Sequence, residues 1–370
     1  YFSDGLTEEI IAALSKVPKL FVIAPNSVFS YKDKPVRVKQ VAEDLGVRYV
    51  LEGSVRKDKD QIRVTAKLID ALSGHQLWAE RYDRNLKEIF SVHDDLTKRV
   101  ITAMQVKLTE GEQARVASKG TNNLDAYLKY LQAFSQANKL NIESNELGRQ
   151  LAQEAIELDP QYASAYYVLA TTHLMDIIFG RSKSPKESFA KRIELLKKAI
   201  ELDGSYAEAY GALGFTYALM GIHDKAIESA ERGVSLDPNS AITHLMLGHA
   251  YRFSGRAEDA IPEYKKGIRL NPIPPAVYLS GLGLSYGLVG QYEEAIKWCE
   301  IAVSQEPDSF VSRLQMTAVY SMAGQIEDAR SEAKEVLRLN PKYSLDKAEK
   351  RAKIKNKDTF FAALRKAGLK

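Results

Sequence analysis

Leu236-Asp237-Pro238, Leu270-Asn271-Pro272, Gln305-Glu306-Pro307 and Leu339-Asn340-Pro341 recur along the chain with their prolines 34 or 35 residues apart. Two further steps of the same kind, Leu158-Asp159-Pro160 and Leu202-Asp203-Gly204, precede them. A fixed step of this length marks a stack of identical supersecondary units. Inside each unit a second pattern repeats. Tyr210, Leu213, Gly214 and Tyr217 are matched by His244, Leu247, Gly248 and Tyr251, by Leu279, Leu282, Gly283 and Tyr286, and by Arg313, Met316, Thr317 and Tyr320. Spacings of 3, 4 and 7 put these side chains on one helix face. Gly221, Gly255, Gly290 and Gly324 then stand where a first helix must stop and turn. Ala226, Ala260, Ala295 and Ala329 follow on a second helix, which the proline ends. Small residues on both helices predict a close approach within the pair. One pair cannot bury its apolar face alone, so the pairs are expected to stack.

This pattern resembles the tetratricopeptide repeat (TPR), over residues 124–341. Four units match nearly in full. The unit from Ala163 (Tyr166, Leu169, Ala170, His173) carries about ten extra residues, expected within Asp176–Lys186. The unit before it, with Gly148, Ala152, Ala155 and Pro160, is degenerate in its first helix. The expected class is therefore mainly α, a TPR superhelix of about six units preceded by a small α/β domain.

The composition, 45% apolar and 27% charged, is that of a globular protein, and 370 residues leave room for two or three domains. A net charge of +4 is too mild to argue for nucleic acid. The lone Cys299 permits no intrachain disulfide and sits at a repeat core position, so it reads as a small buried hydrophobe. No run of 18 apolar residues is present, so no membrane span is expected within the chain. The cysteine usage fits the cytoplasm; a membrane span before Tyr1 would instead place the chain in the periplasm.

Residues 1–110 lack the 34-residue pattern. A helix with Leu6, Ile10, Leu14 and Val17 is predicted, with Asp4 as its cap and Glu8-Glu9 favourably near its positive end. Leu20–Ala24 reads as a buried strand and Asn26–Lys34 as a loop. A second helix carries Val38, Val41, Ala42 and Leu45 and closes at Gly46. Val47–Lys57 and Gln61–Asp70 flank a hairpin turn, and Ile62, Val64, Ala66 and Leu68 alternate with polar residues. A third strand is predicted at His75–Tyr82 and a third helix from Asn85 to Leu108. A polar linker, 111–123, leads to repeats over 124–342, and a basic tail, 343–370, is expected to cap the stack through Phe360, Phe361 and Leu364.

Three stretches of this first domain, Tyr1–Glu9, Leu45–Arg56 and Leu68–Arg84, resemble the TolB-amino-terminal-like domain. That resemblance implies a multidomain bacterial protein in which this domain precedes TPR repeats. The part upstream would be a class III adenylate or guanylate cyclase domain, or else a winged helix, often beyond a membrane span. The family has a strand before the Tyr-Phe-Ser-Asp-Gly stretch, whereas this sequence starts after it. The sheet is therefore expected to lack its first strand, and its open edge to favour a homodimer through this domain.

No constellation points to catalysis, a cofactor or a metal. Gly283-Leu284-Ser285-Tyr286-Gly287 has a hydrolase-like spacing but falls inside a repeat helix rather than at a strand-to-helix turn. The six histidines are scattered, with no pair around an acid. The expected site is instead the face that the first helices of a TPR stack present. The resemblance places Tyr167, Thr171, Phe215, Leu219, Leu245, His249, Arg252, Phe253, Leu284, Leu288, Leu314 and Met322 there. This set is mainly apolar and lacks the Lys and Asn residues with which some TPR domains hold a peptide carboxylate. The ligand expected is an apolar helix or extended segment of a protein, of the same polypeptide or of a dimer mate. The expected function is a non-catalytic interaction module that controls an output domain such as a nucleotide cyclase. An envelope scaffold or a transcription-sensor arm is the alternative, and an enzyme with its site in the α/β domain ranks below both.

Overall fold

The computed structural model describes residues 2–106, 108 and 120–370. Tyr1 and residues 111–119 of the expected linker lie outside them. The chain forms two compact units. Unit 1 takes residues 1–209 with 237–239, and unit 2 takes residues 210–236 with 240–370.

Unit 1 begins with α1 (Phe2–Ser15), α2 (Pro25–Phe29) and α3 (Val38–Leu45). An antiparallel sheet follows, of β1 (Tyr49–Asp58), β2 (Gln61–Asp70) and β3 (Gln76–Asn85), in that order across the sheet. Val55 pairs with Val64, and Val64 with Tyr82. Ile62, Val64, Ala66 and Leu68 are buried while their neighbours along β2 are not, as the alternation predicts. Asn85 and Glu88 form a reciprocal capping box, and after one 3-10 turn α4 (Ile89–Ala103) begins.

Four local expectations are corrected. Asp4 does not precede α1 as a cap but lies in its first turn, where it pairs with Lys32 at 2.6 Å. Leu20–Ala24 forms no strand. Leu20 and Ile23 are buried as the apolar run requires, but the backbone there finds no ladder partner. Leu20 N–H turns back to Val17 O, and the Val17 carbonyl also accepts from the Asn239 side-chain amide. Asn26–Lys34 is not all loop, because Pro25 pre-sets the first turn of α2. The third helix stops at Ala103, with Gln105 in a left-handed conformation (φ +56°).

The core of this head continues into the first helix pair. Leu6, Ile10 and Leu14 of α1 and Ile89, Val92 and Leu96 of α4 share one apolar cluster with Ala126, Tyr127 and Leu131. Those three lie on α5 (Leu124–Ala137), which pairs with α6 (Ile142–Leu158). Gly5 rests directly on the Leu131 side chain, with no room for a Cβ. The next pair is α7 (Ala163–Ile178) and α8 (Pro185–Leu202). Its excess residues lie partly in the connection and partly in the helices, which have 16 and 18 residues.

The four units that follow are uniform. Their first helices, α9 (Ala207–Leu219), α11 (Ala241–Phe253), α13 (Ala276–Leu288) and α15 (Phe310–Met322), have 13 residues each. Their second helices, α10 (His223–Leu236), α12 (Ala257–Leu270), α14 (Tyr292–Gln305) and α16 (Ile326–Leu339), have 14 each. The close approach within a pair is explicit. A Cβ on Gly214 would stand 2.7 Å from Ala226 O, and one on Gly283 2.5 Å from Cys299 Sγ. The four turn glycines adopt φ of +77° to +81°, the conformation only glycine takes without strain. Two short helices, α17 (Leu345–Arg351) and α18 (Lys357–Lys366), complete unit 2.

Candidate functional site

Positions 249, 252 and 253 are three and four apart on α11, so His249, Arg252 and Phe253 share one face. Phe215 of α9 joins them. Its ring centroid lies 5.2 Å from the His249 ring and 6.2 Å from Phe253, and His249 stacks on Phe253 at 6.0 Å. The Arg252 guanidinium sits 4.5 Å above the centre of the Phe253 ring.

The polar floor of this stack comes from a residue outside the expected set, Tyr264 of α12. Its ring is completely buried between two glycines: a Cβ on Gly248 would come within 3.1 Å of it, and one on Gly281 within 2.9 Å. The two missing side chains let the phenol pass between α11 and α13. Its hydroxyl donates to His249 Nδ1 at 2.7 Å and accepts from Arg252 Nε at 3.2 Å. Arg252 Nη2 also approaches His249 Nδ1, at 3.4 Å. Burial, and after it the Arg252 charge, holds the His249 imidazole well below its usual pKa. The ring is therefore neutral at pH 7, with Nδ1 as acceptor and the proton on Nε2. Burial raises the Tyr264 phenol, which stays protonated and keeps its role as donor. His249 is 5% and Arg252 6% exposed, whereas Phe215 and Phe253 are half-buried and form the accessible part.

The structure thus gathers Phe215, His249, Arg252 and Phe253. Leu245 and Leu284 are buried among the helices, while Leu219, Leu288, Leu314 and Met322 are half-buried. Tyr167 and Thr171 belong to unit 1, where Tyr167 packs on Tyr206 at 5.3 Å and Thr171 bonds back to Tyr167 O. Tyr264 had a signal in the sequence. It is the aromatic at the second-helix position that Ala230, Cys299 and Ala333 fill elsewhere, and it faces an additional glycine, Gly281.

The remaining chemical groups are accounted for by structure. Ser285 is fully buried in α13 and donates to Gly281 O at 2.8 Å, so no nucleophile turn exists there. Burial pushes the Cys299 thiol up to about 12, which leaves it an unreactive core residue. A shallow cleft in unit 1 lined by Asn145, Glu146, Arg149, Asp176 and Arg181 is polar, but Arg149 pairs with Asp176 and Arg181 with Glu146. Among the described residues no group of three His, Cys, Asp or Glu could hold a metal ion. No helix among them is long and apolar enough to cross a membrane.

Four helix pairs of constant length, small-residue contacts such as those at Gly214 and Gly283, and an aromatic patch on the first-helix face define a helical-repeat interaction scaffold. The Tetratricopeptide repeat family matches residues 207–240 and 241–274. A Rhizobium meliloti (strain 1021) protein named "Putative adenylate cyclase 3" is 45% identical over 178 residues, 48% of this chain and 30% of that protein. The chain therefore spans less than a third of the length of that curated relative. Among solved structures, YrrB, "a TPR protein with an unusual peptide-binding site", aligns at 19% identity over 52% of this chain and 93% of its own, with a TM-score of 0.36. A thermophilic TPR protein of Thermus thermophilus aligns at 22% identity over 51% of this chain and 97% of its own, with a TM-score of 0.42.

Proposed function

We propose that this chain is a non-catalytic regulatory module whose first-helix face binds a segment of another protein. The observation that carries this reading is the Phe215–His249–Phe253 stack. Two half-buried aromatic rings are held rigidly over a neutral imidazole and a buried guanidinium. Rigid, partly exposed aromatic rings beside an arginine make an effective anchor for a protein partner, because little side-chain entropy is lost on contact. The match to a relative named as a cyclase, of which this chain covers 30%, supports placing the module beside a nucleotide-cyclase output domain. The resemblance of the head to the TolB-amino-terminal-like domain supports the same placement. The sheet edges, β1 and β3, offer the head a route to a homodimer by strand addition.

The test is selection of peptides from a displayed random library on the full chain, repeated on the F215A/F253A variant. Peptides that bind the first and lose at least tenfold on the second are expected. Added to the parent protein, such a peptide is expected to change its cyclic-nucleotide production. Selected peptides that bind both chains equally would remove this face from the proposal. Face-dependent peptides that leave production unchanged would remove the cyclase link.

A further inference from the structure

The tail does not extend the stack of helix pairs. After α16 the chain turns back along unit 2, past the units it has just completed. Four glycines occupy the same place in four successive units, yet their surroundings differ. A Cβ on Gly221 would meet Lys353 Cβ at 2.9 Å, and one on Gly255 would meet Lys355 Cβ at 3.1 Å. Gly290 and Gly324 have open space around them. The tail thus reaches the turn after α9 at residue 353 and the turn after α11 at residue 355. Lys355 N–H donates to Phe253 O at 3.0 Å, on the backbone of the aromatic patch itself. The chain then enters α18, which packs on α15; Phe361 and Leu364 of α18, and Leu369 after it, are buried at 4%, 0% and 2% exposure.

This is how a peptide ligand lies on a helical-repeat face: an extended stretch with one backbone hydrogen bond, then a short amphipathic helix seated by its apolar side. The fastening is modest. Arg365 bridges to Glu349 Oε2 at 2.5 Å and to Asp346 Oδ1 at 3.2 Å, tying α18 to α17, and all three belong to the tail. Leu345 N–H donates to Lys370 O at 2.6 Å and closes the segment on itself. The tail is internally tied, and it meets the repeats through apolar side chains, among them Phe361 and Leu364, the Tyr343 ring 5.3 Å from that of Phe310, and one backbone bond.

We propose that residues 352–370 are a resident ligand of the first-helix face of unit 2, and that a partner reaches this face as an amphipathic helix of the same design that displaces them. The partner's chemistry is read from the tail: a few extended residues, then two adjacent aromatic residues with a leucine one turn on, as in Phe360, Phe361 and Leu364. This deepens the reading that the face binds protein and rests on it. Linked in cis, the tail has an effective concentration of about 1 mM, so an affinity in trans of about 50 µM would correspond to masking of about 20-fold.

The test uses the full chain and a fluorescent synthetic peptide of residues 343–370, with binding followed by anisotropy. The intact chain is expected to bind the peptide about 20-fold more weakly than the F361D/L364D variant, whose own tail is unseated. Equal binding by both, or none by a variant that keeps its helical circular dichroism, overturns the proposal. Should that variant lose its helicity, F361A decides, because it removes one seated ring of the tail and leaves every repeat residue unchanged. A gain of severalfold supports the proposal and no gain overturns it. Library peptides that bind the face equally in intact and unseated chains would sink the resident ligand while leaving the binding role standing. Tail binding in trans with no library peptide selected would do the reverse.

Discussion

The two compact units differ in one class of buried ionisable group: the carboxylates that burial raises lie in unit 1, which also buries Arg192 and holds the His93 imidazole low. In unit 1, Glu8 and Glu9 of α1 and Glu208 are all raised to about 7, in each case by burial first. The charge of Asp4 adds to the effect at Glu8 and that of Asp237 at Glu208, while the Tyr127 hydroxyl holds Glu9 back. The phenols of Tyr130, Tyr162 and Tyr206 around them are pushed well above their usual values. In unit 2 the buried groups include His249 and Arg252, and His249 is held low. Desolvation drives each group toward its neutral form, so the same physics gives these carboxylates and His249 opposite responses to pH. The folded Glu8 and Glu9 bind protons more tightly than unfolded carboxylates, so the stability they contribute to unit 1 is lost as pH rises from about 4.5 through about 7. Folded His249 binds its proton less tightly than an unfolded histidine. Unit 2 therefore loses stability as pH falls through about 6.5.

The largest expected effect is on the acidic side of this contrast. The double substitution Glu8→Gln and Glu9→Gln removes the cost of two half-buried carboxylates at pH 8. It is expected to stabilise unit 1 there by on the order of 2 kcal/mol, and by little at pH 4.5, where the native groups are already protonated. Native-state hydrogen exchange of the α1 and α5 amides reads this directly. A gain of the same size at both pH values would break the assignment to ionisation. From the sequence alone these two glutamates read as acids favoured by the start of α1. In the fold their desolvation outweighs any favour from the helix end.

A smaller effect is expected in unit 2. Tyr264→Phe removes a hydroxyl that donates to His249 Nδ1 and accepts from Arg252 Nε. Leaving those two buried groups short of a partner is expected to cost about 1–2 kcal/mol in urea denaturation at pH 8. A loss below a few tenths would mean that Arg252 and His249 satisfy each other once the phenol is gone.

How much of this was legible in the sequence follows from what each part depends on. The repeats were legible because their determinants are local and recur. The glycines at 221, 255, 290 and 324 turn where the spacing puts them, and Gly214 and Gly283 make the contacts that small residues predict. The head was less legible, since Leu20–Ala24 has a strand's composition but no neighbour with which to pair. Its shared core with α5 rests on contacts across more than a hundred residues, such as Gly5 on Leu131. The candidate site was legible as a face, while its polar floor was not. Tyr264 occupies a second-helix core position, and the paired absence of side chains at Gly248 and Gly281 lets its hydroxyl pass through to His249. The return of the tail could not be read from periodicity either, because residues 343–370 carry no repeat pattern to say where they go.

The smallest effect separates the two causes of the low His249 pKa. Arg252→Met keeps the bulk beneath the Phe253 ring and removes the positive charge 3.4 Å from His249 Nδ1. Burial is the larger cause and Arg252 the smaller, so the imidazole of the variant is expected to titrate higher than in the native chain but still below 6.5. An NMR titration of the His249 ring measures this. An unchanged midpoint would mean that the guanidinium charge is screened at the ring and burial acts alone. A midpoint at or above 6.5 would mean that the charge, and not burial, sets the neutral state. The acid sensitivity of unit 2 would then belong to Arg252, and the two units would no longer answer to the same physics.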